Sequence, residues 1–286
     1  MGKDGSGIML VSITDLQPFA RHPYKVLDDE AMSEMAESVK QYGVLSPAIA
    51  RPLPDCGYEL VSGHRRKRAC ELAGLETMPV IVRELDNDAA AILVVDSNLQ
   101  REDLLPSERA FAYKLKMEAL RHQGERSDLT SRQVGDKLKA ADKVGEDVGE
   151  SARQVQRYIR LTELIPPLLD MVDERKIAFN PAYELSFLTK DEQTMLLDAM
   201  DSEQATPSLS QAQRLKQFSQ RGELDAAVMC AIMSEEKKEV ERVTLKGETL
   251  RKYVPASYTP KRMEETIIRL LEQWQKQQKR RREAER

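Results

Sequence analysis

The chain has 286 residues, 41% hydrophobic and 32% charged, a balance that suits a helix-rich protein with room for two or three cored domains. A net charge of −4 excludes a uniformly basic nucleic-acid coat, and an apolar run such as 89–95 is far shorter than the roughly 20 residues a spanning helix needs. Cys56, Cys70 and Cys230 are too far apart for a disulfide framework or a zinc spacing, which points to a reducing compartment.

His22, His64 and His122 are equally scattered and make no metal cluster. The N-terminus lacks a signal-peptide layout, although its first six residues fit the loose myristoylation pattern. Charge is uneven along the chain. From Lys237 to Arg286 there are 15 Lys and Arg against 8 Asp and Glu, a local +7 that leaves −11 for the rest. DNA binding outside that tail must therefore rely on local patches.

In chain order, 8–13 reads as a strand, and a loop from Leu16 carries Arg21, His22 and Pro23. Met32, Met35, Val39 and Tyr42 recur at helical spacing within 28–42, and Gly43 is the stop. Residues 47–51 and 58–61 alternate as strands joined by a Pro/Gly turn. Next comes Gly63-His64-Arg65-Arg66-Lys67-Arg68-Ala69, leading into a helix that Gly74 stops. A strand-to-helix turn leaves unpaired N–H groups, and these, the helix dipole and the arginines favour a phosphate. The bland alternative is a solvated basic helix face. A strand at 78–83 and helices at 87–98 and 106–123 follow, so the first hundred residues form an α+β unit. Between those helices, the stretch 96–104 is dense in amide and charged groups, suited to reading a ligand or simply to capping a helix.

From Thr130 onward the pattern is helical: 131–140, 142–148 and 151–161. The last two fit a helix-turn-helix, with Gly149 at the turn, Ser151 as N-cap and Val155 and Tyr158 inward. That leaves Ala152, Arg153, Gln156, Arg157 and Arg160 outward, the side-chain chemistry that reads a major groove. Against it stands Gly145, which inside a helix costs about 1 kcal/mol relative to Ala. Ile165-Pro166-Pro167 interrupts the run, a helix starts at Leu168, Asn180-Pro181 caps another, and 191–200 and 209–221 complete an all-helical middle. Near the end, 242–245 reads as a strand and a long helix carries Met263, Ile267, Leu270, Leu271 and Trp274 as one apolar stripe. A strand and one helix cannot close a core, so a second copy is the natural cover. The basic run 276–282 beyond it is a solvated end or a DNA arm.

These pieces resemble the ParB-type centromere-binding partition proteins, the ParB/RepB group, over roughly 8–224. The Gly63–Ala69 run is similar to the family's GERRxRA box. Gly43-Val44-Leu45-Ser46-Pro47 resembles its Gly-to-Pro segment, and Asn98-Leu99-Gln100-Arg101 with Pro106 its ENLQR-and-Pro box. The resemblance implies a ParB-like α+β nucleotide-binding domain at 1–104, an all-α helix-turn-helix domain at 105–224, and a linker with a strand-helix dimerisation segment and basic tail at 225–286.

It further implies CTP held with Mg2+: Gly63, His64, Arg65 and Arg66 cradle the triphosphate, Gly43 and Pro47 line the base pocket, and Arg21, Asn98, Gln100 and Arg101 close the site, with Asn98 facing the metal. Ser151, Ala152, Arg153, Gln156, Arg157 and Arg160 would read a palindromic double-stranded DNA site. CTP would close a homodimer into a sliding clamp served by a ParA-type ATPase, in the cytoplasm on nucleoid or plasmid DNA. His64 and Ser97 stand where the family usually has Glu, so binding is expected to outlast turnover, at most a slow CTP hydrolysis, and no catalytic residue is assigned. The rivals are a helix-turn-helix transcriptional regulator of a mobile element without clamp activity, and a nuclease or kinase on the same N-terminal fold.

Overall fold

The structure, a computed structural model, describes residues 7–54, 56–101, 104–127, 135–235, 253–255 and 258–284. It divides into two compact units, Met1–Glu235 and Glu236–Arg286.

The first unit opens with a five-stranded mixed sheet in the order β1-β5-β3-β4-β2. The strands are β1 (Ile8–Ser12), β2 (Leu16–Pro18), β3 (Ala48–Pro52), β4 (Tyr58–Ser62) and β5 (Thr77–Val82). β1 runs antiparallel to β5 and β3 to β4, while β3/β5 and β2/β4 are parallel pairs. Alternation along β4 sends Leu60 and Val61 to opposite faces, and both are fully buried. Leu60 joins a core with Val11, Met32, Val39, Met78 and Val80, under α1 (Glu30–Tyr42) and α2 (His64–Ala73). Val61 joins Phe19, Tyr24, Ala90, Val94 and Val95, under α3 (Asn87–Asp96) and α4 (Pro106–Ser127). The uniformly apolar face of α3 is explained by this position between sheet and α4.

The helical part holds α5 (Gly135–Val148), α6 (Ala152–Arg160), α7 (Pro166–Asp173), α8 (Phe179–Leu185), α9 (Lys190–Glu203), α10 (Leu209–Arg221) and α11 (Ala226–Met233). Leu161, Leu168, Leu185, Leu196, Leu215 and Met229 share one core. Capping boxes at Thr189/Glu192 and Ser208/Gln211 start α9 and α10.

Several elements differ from the sequence expectation. The helices expected at 131–140 and 142–148 are one helix from Gly135 onward: Ala141 and Val144 lie buried on one face, with neither Gly nor Pro between them, and 131–134 lie outside the described residues. α7 begins at Pro166, because proline is tolerated in a first turn, where backbone N–H groups have no intrahelical acceptor. Asn180 is not an N-cap, since α8 is entered from Ala178 and the amide of Asn180 accepts from Arg157 instead. β2, read as loop, pairs with β4. The segment after Leu224, read as linker, opens with α11, whose Met229, Ile232 and Met233 are buried in the helical core.

In the second unit, α12 (Pro260–Ala284) exposes Ile268, Leu270, Leu271 and Trp274, while Met263 is buried. The strand expected at 242–245 lies outside the described residues. Among the described residues no helix is long and apolar enough to cross a membrane.

Candidate functional site

β4 leaves the sheet into Gly63, whose φ of 110° is the left-handed side that glycine alone enters freely. A Cβ there would stand 2.9 Å from the Cβ of Ala48, so the backbone packs directly on β3. The next residue begins α2, and its four cations take different partners. Arg66 donates from Nη1 to the carbonyls of Ser46, at 2.7 Å, and Pro47, at 2.6 Å. That fastens the segment from Gly43, itself at φ 70°, to Pro47 onto the basic turn, and burial lowers the Arg66 pKa. Lys67 donates to Leu16 O at 2.8 Å. Arg68 forks onto Asp28 at 2.9 and 2.6 Å. Arg65 lies 3.7 Å from Asp29, and its Nε is buried with no acceptor. A buried, unsatisfied guanidinium N–H at a helix start is a place for an anion.

The loop from Phe19 to Lys25 lies against this turn. His22 and His64 face each other with ring centroids 3.7 Å apart at 40°. The Phe19 N–H donates to His64 Nε2 at 3.4 Å, and His22 Nδ1 donates to Tyr24 O at 2.9 Å. Burial, the neighbouring His22 and Lys67 hold the His64 pKa down at about 3. Burial also lowers His22, against the pull of the Tyr24 carbonyl and Glu108. Arg21 reaches Glu118 on α4 at 2.5 Å. Beside His22, between this loop, α4 and α7, lies a cleft of about 580 Å3 floored by Phe111, Leu115, Leu164 and Leu169.

Asn98, Gln100 and Arg101 follow α3. Asn98 Nδ2 donates to Val94 O and Ser97 Oγ, and the Arg101 N–H to Asn98 O, while Gln100 is exposed. Among the described residues none of the three hydrogen-bonds to the α2 turn. The loop is the link between them: Tyr24 donates to Val95 O at 3.3 Å and feels the charge of Arg101.

Among the described residues the donor set does not fit magnesium. Asp28 is held by Arg68, Glu59 by Arg51, and Asp96 by Lys116 at 2.5 Å, while Asp29 caps α1. Asn98 offers one amide oxygen, and among the described residues no three His, Cys, Asp or Glu side chains gather as metal ligands. A hard divalent ion seeks several oxygen donors.

Gly149, at φ 69°, and the Ser151 cap, which accepts from the Gln154 N–H, set α6 against α5. Gly145 is required there because a Cβ would fall 2.4 Å from Glu150 O. Val155 is fully buried with Tyr113 and Val144. Ser151, Arg153 and Gln156 are exposed, and Ala152 is half-buried. Arg157 and Arg160 turn to α8. Arg157 stacks on Phe179 at 5.0 Å and Tyr183 at 4.9 Å, and Arg160 lies 4.3 Å over Phe187 and donates to Ser186 O. Sequence reasoning passed over His22 as a site residue, and over Arg109 and Glu150, which pair at 3.2 Å beside Tyr158. Only the proximity of His22 to Arg21 was visible in the sequence.

Residues 2–99 match the family model of the ParB N-terminal domain. Over 190 residues the chain is 33% identical to the chromosome-partitioning protein Spo0J of Thermus thermophilus, covering 66% of this chain and 64% of that protein. The chain spans about half to two thirds of the length of the curated relatives it matches. Two crystal structures of C-terminally truncated ParB from Caulobacter crescentus are also similar. One is complexed to the centromeric parS site (25% identity, 73% of this chain and 98% of that one, TM-score 0.42). The other is complexed with CTP-gamma-S (29%, 63%, 92%, TM-score 0.32). Residues 2–99 thus carry a ParB N-terminal domain, and about two thirds of the chain is similar to curated chromosome-partitioning proteins.

Proposed function

We propose that the chain is a CTP-responsive, sequence-specific DNA-binding partition protein that works as a homodimer. The observation that carries the nucleotide half is the buried, unsatisfied Nε of Arg65 beside a glycine-fitted helix start, with Arg66 fastening the Gly43–Pro47 segment to the same turn. Together these supply anion donors and a neighbouring wall within one small region. Gly63, His64, Arg65 and Arg66 form the phosphate seat in this reading, Gly43 and Pro47 the base side, and Arg21, Asn98, Gln100 and Arg101 the closing side. The helix-turn-helix offers Arg153 and Gln156 to base edges, with Ser151 and Ala152 at the helix start beside the phosphates. Arg157 and Arg160 hold the recognition helix on α8. The exposed apolar residues of α12 need a covering partner, and a second copy supplies one. A palindromic site, clamp closure and a ParA-type ATPase partner complete the reading.

The test is CTP binding by the full chain together with CTP-stimulated crosslinking of the N-terminal domains on cognate DNA. Wild type is expected to bind and close, and Arg65→Ala to lose both. Site-specific DNA binding without any CTP-stimulated closure would instead mark a local transcriptional regulator.

A further inference from the structure

We propose that the facing imidazoles of His22 and His64 bind the triphosphate as a pair and supply its counter-charge by taking up a proton, so that nucleotide binding is proton-linked and independent of magnesium. This rests on the nucleotide reading above.

The hydrogen bonds fix which nitrogen takes the proton. His64 Nε2 accepts from the Phe19 N–H, so it carries no hydrogen, and the neutral ring presents N–H at Nδ1. His22 gives its Nδ1 hydrogen to Tyr24 O, which leaves His22 Nε2 as the basic position of the pair. Protonation of His22 makes its ring a donor at both nitrogens while the Phe19 bond to His64 stays intact. Because the ring centroids lie only 3.7 Å apart, only one proton is accommodated, and it belongs to the pair.

The groups around the pair come from several elements, and Lys25, Lys114 and Asp170 line the cleft beside His22. α2 contributes Lys67, which opposes a charge on His64, and α4 contributes Glu108, which favours one on His22. From β4, Glu59 accepts from the Ala20 N–H and is held by Arg51. On the loop, Arg21 is occupied by Glu118. Burial holds both imidazoles below their ordinary range, so each is neutral near pH 7. A polyphosphate on the α2 turn reverses the balance, since an opposite charge within about 4–6 Å raises a pKa. Among the described residues the usual counter-ion finds its oxygen donors engaged: Asp28, Glu59 and Asp96 pair with Arg68, Arg51 and Lys116, Asp29 caps α1, and Glu108 accepts from the Lys25 and Leu105 N–H groups.

Calorimetric titration of the full chain with CTP decides it, run in buffers of different ionisation enthalpy, with magnesium or with EDTA. The expected result is affinity in EDTA within about twofold of that with magnesium, uptake of about one proton, and about tenfold weaker binding per pH unit above neutrality. His22→Phe keeps a ring facing His64 and is expected to abolish the uptake and flatten the pH dependence. Binding that requires magnesium, or shows no proton uptake, overturns this inference while leaving the nucleotide reading intact. Absence of binding in every condition overturns the nucleotide reading itself.

Discussion

Gly145 and Glu150 lie so close that the carbonyl oxygen of Glu150 would stand 2.4 Å from a Cβ on Gly145. Propensity alone favours Gly145→Ala by about 1 kcal/mol. Sterics oppose it, because the neighbouring atom is backbone at the corner between α5 and α6 and cannot swing away. We therefore expect Gly145→Ala to lower stability by about 1 to 3 kcal/mol, read as a fall in the denaturant midpoint. A gain in stability would show that the corner can open.

Gly63→Ala meets two obstacles, a φ of 110° and the Cβ of Ala48 at 2.9 Å. The expected loss is about 2 to 4 kcal/mol, combining backbone strain with overpacking. Gly74→Ala, also at positive φ but with open space at its Cβ, should lose less. Equal losses in paired thermal melts would assign the whole effect to φ.

Arg153 and Arg157 sit on one helix in different situations. Arg153→Ala should leave the melting temperature unchanged and weaken specific DNA binding by about 1 to 3 kcal/mol. Arg157→Ala also removes two cation–π contacts and a bond to Asn180, so it should lower stability by about 1 kcal/mol as well. Thermal melts beside DNA titrations separate the two, and an unmoved melting temperature for Arg157→Ala would refute its packing role.

Lys116 is buried to 2% exposure and donates to Asp96 and Asp147, each at 2.5 Å. Burial opposes its charge, but the hydrogen bonds to Asp147 and Asp96 outweigh it and raise its pKa above 10.5. A raised lysine stabilises fully below its unfolded value and loses that contribution as pH rises through the folded one. Stability should therefore fall more steeply above about pH 10.5 in wild type than in Lys116→Met. Lys116→Ala should lose about 1 to 3 kcal/mol near neutrality, discounted because both carboxylates are half-exposed. Urea titrations at pH 7 and above pH 10.5 check both statements.

Legibility followed the strength of local signals. α10 runs over the expected residues 209–221 because Ser208 and Gly222 bracket it chemically, and the Gly63 turn stood out through its charge. β2 was hidden because three residues ending in proline carry no alternation, and their strand character comes from pairing with β4. α11 was hidden because Ala226–Met233 is apolar all round and shows no period. Within the candidate site, the partners that occupy Arg157 and Arg160 lie more than twenty residues onward, on α8 and just after it, beyond the reach of any pattern within α6. The His22–His64 contact likewise joins residues brought together only by the loop's return over β4.

Arg157, Tyr183, Lys216, Phe187 and Arg160 form an alternating ladder of cations and rings that joins α6 to α8 and α10, with Lys216 3.7 Å from the Phe187 ring. The pitch of α6 is thus set by parts of the chain that follow it. If α6 reads DNA as proposed, a fragment cut after it would keep its side chains but lose their aim, and the shortest transplantable piece would extend through Arg221.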